Sequence, residues 1–196
     1  QPINSVLFKY DTATDLFAEF QTIAAKGAID WESFIMNNKH YLVLAKYYAG
    51  STGTRLDSLI YEYDNAAEQF LLFQTIATVG AKSWEYFTMN SKHYLALAQY
   101  LDQPATPNSY NINSRIFEFD SNTKTFIQFQ NIATHGASDW ESFVVDNEQY
   151  LVVANYNNDV STKIDSVIYK FKDATDKFVQ FQSIATKGAR GWKSFK

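Results

Sequence analysis

The chain has 196 residues, 46% of them hydrophobic and 19% charged, so it can bury a sizeable core without help from a disulfide or a metal. Its 16 Phe, 13 Tyr and 4 Trp against 7 Gly and 3 Pro exclude disordered, collagen-like and linker-like chains. A formal net charge of -4 gives no footprint for a phosphate backbone, no window approaches the roughly 20 apolar residues of a membrane helix, and the absence of Cys removes thiol catalysis and thiolate zinc sites; neither a nucleic-acid partner nor membrane insertion is expected.

From the N-terminus, the first block is SVLFKYD at Ser5, which recurs as SLIYEYD at Ser58, SRIFEFD at Ser114 and SVIYKFK at Ser166. In the second copy Leu59, Tyr61 and Tyr63 alternate with Ile60 and Glu62, the two-residue period of a strand. A polar break follows, YDTATDLF in the first copy, where Asp11, Asp64 and Asp120 read as turn-forming residues and lack the ligand pattern of a calcium loop. Next comes an FxxFQ tract. Phe17, Phe20 and Ile23 fall three apart, a spacing that one or two helical turns would share. The alternation of Phe70, Leu72, Gln74 and Ile76, and the glycine that follows at Gly27, Gly80, Gly136 and Gly188, favour a strand with those four residues on one face.

The third predicted strand is WESFIMN, with apolar residues on both faces. An Asn-rich turn leads from it into YLVLA, a short apolar run suited to burial on both sides. This succession repeats. The tracts beginning at Phe17, Phe70, Phe126 and Phe178 align without a gap for 18 residues, and Gln21, Gln74, Gln130 and Gln182 recur at intervals of 53, 56 and 52. Trp31, Trp84, Trp140 and Trp192 keep the same intervals. The repeat cores are 5–34, 58–87, 114–143 and 166–195, within one unit spanning 1–196, and the fourth copy stops before a YLxxA block.

Ordered WExF, YLxxA, SxIY, FxxFQ, the strands form a four-stranded antiparallel meander, and a repeat of this kind near 50 residues long is the signature of a β-propeller. The expected fold is all-β: an open propeller arc of three full blades with partial blades at each end, the last of them the strand 192–196. Its unpaired edges are expected to make the isolated chain self-associate.

An amide with two donors and an acceptor at each recurring Gln suits ties between strands or blades, and the four Trp suit burial between blades, where truncation to Ala costs about 3 to 5 kcal/mol. Glu32, Glu85 and Glu141 follow three of the Trp, but Lys193 breaks the series; hydrogen bonding to neighbouring backbone is expected of them rather than a cation ring. His40 and His93 are replaced by Gln149 in the third copy, so no recurring metal ligand forms, and no nucleophile with an orienting carboxylate accompanies His135. With no GxGxxG, GxxxxGK, HExxH or GxSxG segment, no catalytic residue, cofactor or metal site is expected. Length variation is confined to the segments 49–57, 101–113 and 157–165. The longest of these, with Pro104, Pro107 and Tyr110, is the candidate partner-binding loop, because its inserted residues have no counterpart in the other copies and Tyr110 offers an aromatic anchor.

The succession SxIYxY, FxxFQxIATxGAxxWExF and YLxxAxY resembles the EAR repeat, also called the EPTP or epitempin repeat, over essentially the whole chain. The resemblance implies an extracellular or cell-surface protein and a non-enzymatic propeller that binds other proteins. The family's propellers have seven blades, more than three complete units can build. Location rests on the resemblance alone, since QPINSVLFKY lacks the features of a secretory signal. Two alternatives stay open: an architectural segment of a larger protein, or an enzyme with a site on the propeller axis.

Overall fold

The structure is a computed structural model that describes residues 4–50, 53–103 and 107–195. Among the described residues fourteen strands follow one another: β1 (Asn4–Asp11), β2 (Leu16–Ala24), β3 (Ala28–Met36), β4 (Lys39–Lys46), β5 (Asp57–Asp64), β6 (Gln69–Ala77), β7 (Ala81–Met89), β8 (Lys92–Gln99), β9 (Asn111–Asp120), β10 (Thr125–His135), β11 (Ala137–Val145), β12 (Glu148–Asn155), β13 (Asp165–Lys172) and β14 (Lys177–Ala185). They form a two-stranded sheet, β1-β2, and three four-stranded antiparallel meanders, β3 to β6, β7 to β10 and β11 to β14. The molecule is thus an open propeller arc, a half-blade followed by three full blades.

Turn chemistry sets the registers. Asn37 and Asn38, Asn90 and Ser91, and Asp146 and Asn147 all have positive φ, the pair of left-handed residues that a two-residue hairpin between right-twisted strands requires. In the longer turns between third and fourth strands, the carboxylates of Asp11, Asp64 and Asp120 accept backbone N–H groups two residues on, from Ala13, Ala66 and Asn122. The fourth copy has Lys172 at that position and turns instead through a short 3-10 segment, Asp173–Thr175.

The second strand of each blade is buried on both sides, with Val43, Leu44 and Ala45 all inaccessible, as are Leu95, Ala96 and Leu97. The core lies between blades in two clusters. One joins Val43, Ala45 and Ile60 to Trp84, Leu95 and Phe117; the other joins Ala96, Ala98 and Ile116 to Trp140, Leu151 and Val153.

Every outer strand carries a one-residue bulge, at Phe20, Phe73, Phe129 and Phe181, each of which lacks a cross-strand partner. The bulge accounts for the three-residue spacing of the FxxFQ tract without any helix: the extra residue re-phases the strand, so that Phe73 packs against the core cluster that holds Ile76, while Phe70, before the bulge, is half-buried beside Tyr63. It also corrects the expected alternation, since Leu72 is 57% exposed while Ile76 is buried. A second correction concerns the C-terminus. Residues 186–195 form no strand; the WKSF tract is held through side chains of β11.

Candidate functional site: blade joints and the loop face

Two sets of polar joints hold the blades in register. On the outer strands, Gln21 Nε2 donates to Phe70 O at 2.9 Å while Phe70 N donates to Gln21 Oε1 at 2.8 Å. Gln74 closes the same two-bond clasp on Phe126, and Gln130 on Phe178. Gln182, on β14, is exposed and makes no such clasp among the described residues.

On the axial side, the first strands β3, β7 and β11 lie beside one another without backbone pairing. Carboxylates replace the missing ladder. Glu85 Oε1 accepts from Ser142 N at 3.0 Å and Ser142 Oγ at 2.7 Å, and Glu141 Oε1 accepts from Ser194 N at 2.9 Å and Ser194 Oγ at 2.7 Å. Asp139 accepts from Trp192 N at 3.1 Å and from Ser83 Oγ. Glu32 faces Tyr86, which occupies the place of those serines, and so receives backbone N–H groups, from Tyr86 and Ser33, but no hydroxyl. Burial, with the negative Glu85 beside it, pushes the Glu32 carboxyl up to about 7. Burial also raises Glu85 and Asp139. At Glu141 the upward push of burial is outweighed by Lys193 Nζ at 2.7 Å and by Ser194, leaving its carboxyl below the usual range.

The tryptophans divide by position. Trp84 and Trp140 are 3% and 1% exposed between full blades, whereas Trp31 and Trp192, each beside an incomplete blade, are half-buried. Trp140 Nε1 donates to Leu97 O and Trp31 Nε1 to Ser5 Oγ.

The connections between second and third strands gather on one face, and each is pinned by a glycine in the turn that leads to the next blade. Gly80 N donates to Thr54 O, Gly136 N to Tyr110 O and Gly188 N to Thr162 O. The approach leaves no room for a side chain at Gly80, where a Cβ would sit 2.3 Å from Leu101 O. Neighbouring loops then lock together. Arg55 makes a two-pronged ion pair with Asp102, Thr54 exchanges hydrogen bonds with Gln103, and the Asp159 carboxylate accepts from Ser109 Oγ, Tyr110 N and Asn111 Nδ2.

This places the sequence candidates. Pro104 lies outside the described residues, and Pro107 is exposed at the loop tip. Tyr110 does have a counterpart in the other copies: it stands where Thr54 and Thr162 stand, half-buried and tied to blade β11–β14. His93 Nδ1 hydrogen-bonds the Tyr86 hydroxyl, His135 Nδ1 pairs with Asn111, and His40 is exposed. Among the described residues no three His, Asp or Glu are placed to hold a metal.

Sequence reasoning missed a cluster at the axial end of the loop face. Tyr47, Tyr100 and Tyr156, the last residue of each YLxxAxY block, converge with Tyr110, with ring centroids 5.8 Å apart for Tyr47–Tyr100, 5.4 Å for Tyr100–Tyr156 and 5.2 Å for Tyr100–Tyr110. Lys82 Nζ stands 5.3 Å from the Tyr47 ring and 5.5 Å from Tyr100, and the Arg190 guanidinium 5.1 Å from Tyr156. Lys82 is the unpaired residue of an inner-strand bulge, and Arg190 holds the equivalent position two residues before Trp192. The repeated terminal Tyr of YLxxAxY was the signal available in the sequence.

Comparison with known proteins adds identity to this geometry. The profile of the EPTP domain matches residues 16–64, 69–120 and 125–171. The thrombospondin-type laminin G domain and EAR repeat-containing proteins of Homo sapiens and Mus musculus are 37% and 32% identical, each over 97% of this chain. The chain spans 36% of the length of those relatives. Among solved structures, the alpha-L-arabinofuranosidase from Lactobacillus brevis superposes with a TM-score of 0.52 at 12% identity, covering 87% of this chain and 62% of the enzyme, a likeness of fold alone. Three matched repeats, joined in the structure by the same glutamine clasp and glycine pin, place the chain in the EPTP domain family, the family of the EAR repeat.

Proposed function

We propose that the chain is a non-enzymatic protein-binding module of an extracellular or cell-surface protein, built as one unit over 1–196 from the repeat cores 5–34, 58–87, 114–143 and 166–195. The observation that carries this reading is the loop face: backbone and side-chain groups of three successive loops are spent on one another, which makes a rigid platform with an exposed variable tip at Pro107. The names of the human and mouse relatives pair the EAR repeat with a laminin G domain, which supports the location and the interaction role. The axial carboxylates of Glu85, Asp139 and Glu141 support the non-enzymatic reading, because each is occupied as an acceptor that ties its strand to a neighbouring segment. No helix among the described residues is long and apolar enough to cross a membrane.

Recognition is assigned to the 104–108 insertion, with Tyr110 holding its base. Labelled chain applied to intact cells should bind saturably, and protease treatment of the cells should abolish the binding. Replacing 104–108 with a two-residue Gly-Ser link should weaken it while leaving the unfolding midpoint unchanged. Binding that survives protease treatment refutes a protein partner; binding unaltered by the replacement refutes this loop.

A further inference from the structure

We propose that the axial end of the loop face is a binding site for an acidic saccharide, whose sulfate or carboxylate is held between Lys82 and Arg190 and whose sugar ring lies against the tyrosine cluster. Lys82 sits between the rings of Tyr47 and Tyr100, and Arg190 over that of Tyr156. Burial first, and then the charge of Arg190, push the Lys82 amine below its ordinary range, and neither cation has a carboxylate in ion-pair contact among the described residues. The charge of Asp30 acts on Lys82, and its carboxylate accepts the Trp31 and Trp84 N–H groups. Two neighbouring cations held by ring faces and lacking a paired anion are a standing attraction for one doubly contacted oxyanion.

The neutral part of the ligand follows from what surrounds the cations. Tyr47, Tyr100, Tyr110 and Tyr156 are all half-buried, so each offers part of a ring face; the side chains of Tyr100 and Tyr110 hydrogen-bond each other, and the hydroxyls of Tyr47 and Tyr156 supply donors and acceptors matched to sugar hydroxyls. A peptide would want free backbone groups or a sheet edge to lie along. Here the adjoining backbone is consumed: Asp102 and Ser109 pair with each other, Thr54 with Gln103, and Tyr110 with Gly136 and Asp159. The bulge sends Lys82 out of the β-ladder, a position for which packing alone gives no reason to choose lysine, since the equivalent residues are Ile29 and Ser138.

The site is independent of the protein-partner reading and is tested without that partner. The 196-residue chain is titrated calorimetrically in 150 mM salt with a sulfated tetrasaccharide, a uronate-containing unsulfated tetrasaccharide, a neutral tetrasaccharide, inorganic sulfate and hexaglutamate. Saturable binding of the sulfated or the uronate probe is expected, weakened at least about fivefold in Lys82→Gln and in Arg190→Gln and retained in Lys82→Arg and in the distant Lys124→Gln. Whichever acidic probe binds tighter identifies the oxyanion. The proposal is overturned if neither acidic saccharide binds, if the two Gln variants bind as the parent does, if the neutral saccharide binds equally, or if sulfate or hexaglutamate matches the best saccharide. Unfolding midpoints within 2 °C of the parent confirm that a lost signal reports the site.

Discussion

Replacing Gln74 with Leu removes one interblade clasp while nearly preserving the volume of the side chain. Two hydrogen bonds of 2.8 Å disappear, and the N–H and C=O of Phe126 lose their partners. At about 1 kcal/mol net per hydrogen bond the loss is about 2 kcal/mol, and because the clasp is only part-buried, water re-solvates much of what is freed and the full desolvation penalty does not apply. Gln130→Leu should behave alike, since its clasp on Phe178 has the same geometry and burial. Gln182→Leu is the control: its amide is exposed and makes no such clasp among the described residues, so a change within about 0.5 kcal/mol is expected. Urea unfolding followed by tryptophan fluorescence and by far-UV circular dichroism measures all three. Coincident transitions are needed before free energies are compared, because a repeat array can lose cooperativity when one interface weakens. Equal destabilisation at Gln74 and Gln182 would refute the clasp as the source of the effect.

Four further outcomes follow from the same geometry. Glu32, with its folded-state value near 7, binds a proton more tightly folded than unfolded, so its contribution is intact below about pH 4.5 and stability falls as pH rises from there to 7; Glu32→Gln should flatten that fall by on the order of 1 kcal/mol after discounting for partial solvation, and an unchanged pH profile in urea unfolding refutes it. Trp140→Ala should lose about 3 to 5 kcal/mol and Trp31→Ala clearly less, as their burial differs; equal losses in denaturant titration contradict the packing. Gly80→Ala should lose roughly 3 kcal/mol or more, combining strain at φ +56 with backbone contact at Leu101, against about 1 kcal/mol for Gly50→Ala, where φ is +61 but nothing lies within 4 Å. The isolated 196-residue chain should self-associate through its apolar ends, where Phe17, Phe181 and Phe195 are 70%, 57% and 95% exposed; a monomer at 100 μM in sedimentation velocity would refute this.

What the sequence disclosed about the fold is what repeats with a plain period. The alternation in SLIYEYD, the apolar run in YLVLA and the Asn-rich hairpins each obey a local rule, and repeated copies of a local rule, four of the first and three of the others, reinforce one another. The FxxFQ tract obeyed none cleanly, because a bulge at Phe73 adds a residue that no periodicity reveals; strand and helix readings of Phe17, Phe20 and Ile23 competed for that reason. The site was harder still. Tyr110 looked like an insertion because the loop lengths differ, and only the shared pin from Gly80, Gly136 and Gly188 aligns it with Thr54 and Thr162. The cluster around Tyr100 joins residues from three blades, a nearness that spacing along the chain does not encode.

The axial carboxylates show how one interblade device responds to local substitution. In the joint between the second and third full blades, Glu85 meets both the N–H and the hydroxyl of Ser142. Beyond it, Glu141 meets both groups of Ser194 and gains Lys193, and its carboxyl is held ionised. In the first joint Tyr86 replaces the serine, so Glu32 loses a donor, keeps the burial, and faces the charge of Glu85. The Tyr86 hydroxyl is turned elsewhere, to Ile35 O and His93, while its ring stacks on Phe34 at 4.5 Å. One joint has exchanged an electrostatic tie for aromatic contact, and its leftover carboxylate is the one that titrates near neutrality. Tyr86→Ser therefore separates the two contributions: it should return a hydroxyl donor to Glu32 and lower its pKa, while the lost stacking on Phe34 destabilises the joint at every pH. Carbon-13 NMR of the Glu32 carboxyl reads the first effect and urea unfolding at pH 4.5 and 8 the second. A Glu32 titration unmoved by the serine would show that burial and Glu85, rather than the missing donor, set its value.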